Sequence, residues 1–88
     1  IMTSQKHHPL QVAAEKSGLA PDVIIRFVSF EWIVPVDWQA QLLDDEDIAR
    51  ARLIWELQTE FGVNDEAVPI ILRLIDQLHC LQTELKKR

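Results

Sequence analysis

Near the end of this chain Ile71, Leu74, Leu78, Leu81 and Leu85 stand three, four, three and four residues apart, an unbroken a/d heptad seam. No other feature constrains the fold as much. The seam demands a helix, and it leaves a narrow apolar stripe that something has to cover. The run is too short for a rod-like coiled coil, but it suits a helical pair. The covering strip comes from a neighbouring helix or from a second copy of the chain. Both remain open, since the leucines run on through Gln82–Thr83–Glu84–Leu85 while the preceding chain reads as compact. The expectation is a small helical body with a protruding helix suited to self-association.

The body fits one domain. Its 88 residues are 48% hydrophobic with only two glycines, which favours a globular chain near the size where oligomerisation often helps. The formal charge of −5 is repelled by polyphosphate and by anionic lipid, and it favours basic partners. A lone cysteine, Cys80, cannot close an intramolecular disulfide and points to a reducing compartment. No apolar run reaches the length of a membrane span and residues 1–9 hold no signal-peptide core, so the expected location is cytoplasmic. Residues 1–8 are expected to be poorly ordered or, since Ile1 precedes Met2, extraneous in part; a single domain then covers 9–88.

Punctuation divides that domain. Pro9 and Gly18 bracket a short helix carrying Leu10 and Val12–Ala14. A second opens at Ala20–Pro21 or Asp22, with Val23 or Ile24, Phe27, Val28 and Phe30 inward; a turn of about one residue makes the pair a helix-turn-helix. Trp32-Ile33-Val34-Pro35-Val36-Asp37-Trp38, then Gln39–Leu43, reads as a small hairpin wing that Pro35 keeps out of any central strand. Asp44-Asp45-Glu46-Asp47 begins a third helix, an aspartate N-cap followed by acids that complement the helix dipole. Ile48, Ala51, Ile54, Trp55, Leu57 and Phe61 form its apolar face, with Arg50 and Arg52 towards water. Gly62 closes it, Asn64 caps the heptad helix, and Pro69 falls near that helix's start.

Few constellations carry chemistry. There is no nucleophile elbow, phosphate loop or supported Cys–His pair, so catalysis is not expected, and no cofactor is implied. His79 and Cys80 are adjacent and would point about 100° apart on a helix, which argues against a shared metal ion. The helix-turn-helix invites a DNA reading, and charge disfavours it. From Gln11 to Gln41 the cations are Lys16 and Arg26, against Glu15, Asp22, Glu31 and Asp37. The second helix offers Arg26 and Ser29 among Ile25, Val28 and Phe30, a surface shaped for protein rather than for a groove. Lys86, Lys87 and Arg88 suit the dipole of the last turn.

The order of parts resembles a known family. Gly18-Leu19, an acidic-start helix to Val28 and then Ile33-Val34-Pro35 are similar to the winged-helix head of MerR-type proteins. Leu53-x-x-x-Leu57-x-x-x-Phe61, Gly62-Val63-Asn64-Asp65-Glu66-Ala67-Val68 and Ile71-Leu72-x-Leu74-Ile75-Asp76-x-Leu78-x-x-Leu81 resemble CbpM-type chaperone modulators. The resemblance runs from about Leu10 to Leu85, with Trp32 where the family usually has glycine and a wing shortened before Asp44. It implies a mostly α fold: a MerR-like winged helix-turn-helix head over about 9–62 with a small β wing, then a C-terminal heptad helix over about 64–87.

The function so implied is a bacterial modulator that binds the J-domain of a CbpA-like co-chaperone and inhibits its stimulation of DnaK. The resemblance also implies dimerisation through the last helix, here Ile71, Leu74, Leu78, Leu81 and Leu85. The J-domain's second helix is basic, and Asp44, Asp45, Glu46 and Asp47, with Trp38 or Trp32 as an apolar anchor, are the candidate docking residues. The plainer alternatives are a solvated helix start and core tryptophans. A MerR-like DNA-binding transcription regulator and a purely structural oligomerisation module are the competing functions.

Overall fold

The computed structural model describes residues 7–86. Its elements follow one another as β1 (His7–Pro9), α1 (Leu10–Ser17), α2 (Pro21–Ser29), β2 (Leu42–Asp44), α3 (Asp45–Glu60) and α4 (Val68–Lys86). The expectation for residues 1–6, and the part played by Lys87 and Arg88, lie outside the described residues.

Pro9 leads into α1 with φ −60°, and Gly18 closes the helix in the left-handed region at φ 74°. There the Gly18 amide donates to Glu15 O at 3.3 Å and the Leu19 amide to Ala14 O at 3.2 Å, a Schellman closure that only glycine enters without strain. Ser17, buried beside it, donates to Ala14 O and accepts from the Leu19 amide. The small buried face of Ala13 and Ala14 lets α1 pack on both α2 and α3. Pro21 starts α2 after a turn over residues 18–20, slightly longer than expected, and the helix-turn-helix is in place. Ile24 and Phe27 are fully buried on its inner face, while Val23 and Val28 are half-buried. Burial of each such side chain contributes about 1.5–3 kcal/mol.

The wing differs from the expected hairpin. Residues 32–41 form turns, and β2 pairs antiparallel with β1 from the chain's beginning, in the register His7↔Asp44, His8↔Leu43, Pro9↔Leu42. A lone bridge, Asp37↔Leu42, is what remains of a wing among the described residues. The cause is side-chain demand: Trp32, Ile33 and Pro35 are buried, so the segment follows the core rather than a partner strand. Pro35 also has no N–H for a ladder. His7 and His8, expected to be loosely ordered, are held by this pairing, and the His8 ring meets Asp45 Oδ1 at 2.8 Å.

α3 opens with a reciprocal capping box. Asp44 Oδ1 accepts from the Asp47 amide at 2.8 Å, and Asp47 Oδ2 accepts from the Asp44 amide at 3.0 Å. Ile48, Ala51 and Ile54 are buried in the same core cluster as Leu43, Ile33 and Val68; Trp55 and Leu57 are half-buried, and Phe61 is exposed. Gly62, at φ 68°, turns the chain, and Asn64 Oδ1 accepts from the Ala67 amide at 2.8 Å just before α4. From α4 only Val68 and Leu72 are buried, so the helix is anchored by its first turns and then leaves the body. No helix among the described residues is long and apolar enough to cross a membrane.

Candidate functional site

A helix that reads a DNA groove needs exposed donors, and α2 has few. Its outer face carries Asp22, Ile25, Arg26 and Ser29. The Ser29 hydroxyl is turned back to donate to Arg26 O at 2.7 Å, and the Arg26 guanidinium sits 5.6 Å from the centre of the Phe27 ring. Lys16, on α1, is the only other Lys or Arg between Gln11 and Gln41. A duplex reader needs several cations to displace counterions from the phosphates.

The four candidate docking carboxylates are together at the start of α3, but they are not equivalent. Asp44 is buried and Asp47 half-buried, each spent on the cap of the other's amide. Burial, followed by the neighbouring Asp44 and Glu46 charges, pushes the Asp47 carboxyl up, partly offset by its backbone hydrogen bond. Asp45 is exposed and tied to His8, which leaves Glu46 as the member without a partner among the described residues. Trp38 is half-buried against the core, and Trp32 is buried, its ring centroid 5.6 Å from that of Phe27 and 4.8 Å from that of Phe30. Neither indole stands free as an anchor.

The seam is differently placed. Ile71 is half-buried, whereas Leu74, Leu78, Leu81 and Leu85 are 59%, 57%, 60% and 68% exposed. Ile70 and Phe61 add further exposed apolar area at the root of α4. An apolar stripe of this length on a solvent-facing helix is unusual unless something covers it.

Two arginines expected to face water also act as ties; Arg52 is exposed as expected, while Arg50 is half-buried. Arg50 donates from Nε to Trp32 O at 2.8 Å and grips Asp76 with both terminal nitrogens at 2.9 and 3.1 Å. That grip holds the Asp76 carboxyl below the usual range. Arg52 donates to Ser17 O at 3.0 Å across from α1. Beside the Arg50–Asp76 tie lies a groove of about 470 Å³, bounded by the loop after α2, by α3 and by α4. Sequence reasoning did not assemble it, because Glu31, Glu46 and Asp76 are brought together only by the crossing of three elements; no spacing rule links them.

A family profile described as MerR HTH family regulatory protein matches residues 9–87, nearly the whole chain. The chain belongs to that family. No curated protein matches, and no solved structure does. As a MerR-type regulatory protein it carries the helix-turn-helix in α1 and α2, a minimal two-stranded sheet in place of a full wing, and a C-terminal helix beyond the head.

Proposed function

We propose that this MerR-type protein regulates by holding a polypeptide, and that its partner is the J-domain of a CbpA-like co-chaperone, whose stimulation of DnaK it inhibits. The observation that carries this reading is the charge of the head: α2 presents one arginine, already stacked on Phe27, beside one acid, Asp22, and apolar residues. Such a surface is poor for phosphate and compatible with a basic protein surface. The resemblance to CbpM-type modulators supplies the partner's identity. In this reading the protein is a binding partner rather than an enzyme, acts in the cytoplasm, and is a homodimer whose second copy covers the exposed leucines of α4.

Titrating the purified protein with a CbpA-type J-domain at increasing salt tests the proposal. Binding that weakens with ionic strength, together with loss of J-domain-stimulated DnaK ATPase, is the expected result; no binding at low salt overturns it. The second reading, a DNA-binding transcription regulator acting alone or with a partner chain that supplies cations, draws on the family match. Sequence-specific retention of promoter DNA by the purified protein at moderate salt would favour it.

A further inference from the structure

We infer that the groove between the post-α2 loop, α3 and α4 is the docking site, and that it takes a basic amphipathic helix from another protein. This inference rests on the proposal of a polypeptide partner and gives it a location that reaches from the first turn of α3, at Glu46 and Asp47, across to the loop after α2 and to α4.

The groove's floor is apolar, made of Trp32, Leu53 and Ile75, with Val34 standing exposed at its lip. Its rim is acidic. Glu31 and Glu46 line opposite elements, are exposed, and have no ion pair among the described residues. The single arginine in the groove does not cancel them, because Arg50 is already neutralised by Asp76. Glu31 is also held with φ at 64°, where the α2 closure ordinarily favours glycine; its amide donates to Val28 O at 2.9 Å and the next amide, Trp32's, to Phe27 O at 3.0 Å. A carboxylate kept in a strained backbone position at the edge of a groove suits a role in contact.

Charge complementarity chooses the occupant. Phosphate is repelled by this rim, and a second copy of the chain, at −5, carries the same sign. A helix with an apolar residue for the floor and Lys or Arg one turn to either side meets both features, and a cleft bordered by two helices accepts such an element lengthwise.

The test compares the unmodified protein with E31K/E46K and, as a charge control away from the groove, E15K/E60K. Two probes are titrated at low salt: a purified CbpA-type J-domain and a synthetic amphipathic Lys/Leu helical peptide, with amide shifts mapped on ¹⁵N-labelled protein. Both probes are expected to bind, to shift amides around Trp32, Val34, Leu53 and Ile75, and to weaken by about ten-fold or more in E31K/E46K while the control stays within about two-fold. Undiminished binding in E31K/E46K, or peptide shifts confined to the outer face of α2 or the distal leucines of α4, overturns the groove. A J-domain that still binds in that case leaves the proposed function standing. A peptide that binds in the groove while the J-domain fails to bind overturns the function and keeps the site. Failure of both probes overturns both.

Discussion

At Glu31 a non-glycine residue sits at the left-handed closing position of a helix, with φ 64°. An L residue there is disfavoured, so Glu31→Gly is expected to stabilise the protein by up to about 1 kcal/mol, read as a higher thermal midpoint. The same change removes a rim carboxylate, so tighter folding and weaker partner binding should appear together. Asp44 presents the opposite case. Its side chain makes the N-cap of α3, and Asp44→Ala should cost about 0.5–2 kcal/mol in denaturant unfolding. A loss within error would mean that the cap contributes nothing. The acids of 44–47 were legible as a helix start. That two of them are consumed by each other was not, because a cap and an exposed patch share one composition.

Among elements, α4 carries the clearest conflict between what it shows and what water tolerates. Four of its seam residues are more than half exposed, so self-association is the expected outcome in solution. Leu78→Asp, at an exposed position, should leave the fold intact and lower the mass seen by light scattering to that of a monomer. An unchanged mass would mean the leucines are covered in another way. The heptad was readable because its period is local. The wing was not: Trp32–Trp38 has the β-branched and aromatic content of a strand, yet packing drew Trp32, Ile33 and Pro35 inward. The partner of β2 then came from His7–Pro9, which carry no strand signal of their own.

Across the whole molecule, the tie from Arg50 to Trp32 O and Asp76 joins the loop after α2, α3 and α4. Since α4 buries only Val68 and Leu72, Arg50→Ala should loosen it, seen as faster amide exchange along α4 with a global loss of about 1 kcal/mol. The titrations of the two perturbed acids run in opposite directions. The Arg50 hydrogen bond lowers the Asp76 carboxyl, so its stabilising share is complete above the unfolded carboxylate range and is lost as pH falls through its depressed value. Burial raises the Asp47 carboxyl, so its penalty is absent in acid and grows as pH rises from the ordinary value through the raised one. Unfolding measured from acid to neutral pH should therefore show Asp47→Asn losing the decline in stability over that upper window. Arg50→Ala should lose the acid-side rise that Asp76 contributes.

The sequence alone determined the helices, their stops at Gly18 and Gly62, the acidic cap and the leucine seam, because each follows from backbone preference and periodicity within a few residues. Tertiary structure decided which strand β2 pairs with, which carboxylates stay free, and that Glu31, Glu46 and Trp32 border one groove. Those outcomes depend on competition for the core between residues far apart in the chain, and no local spacing records who wins it.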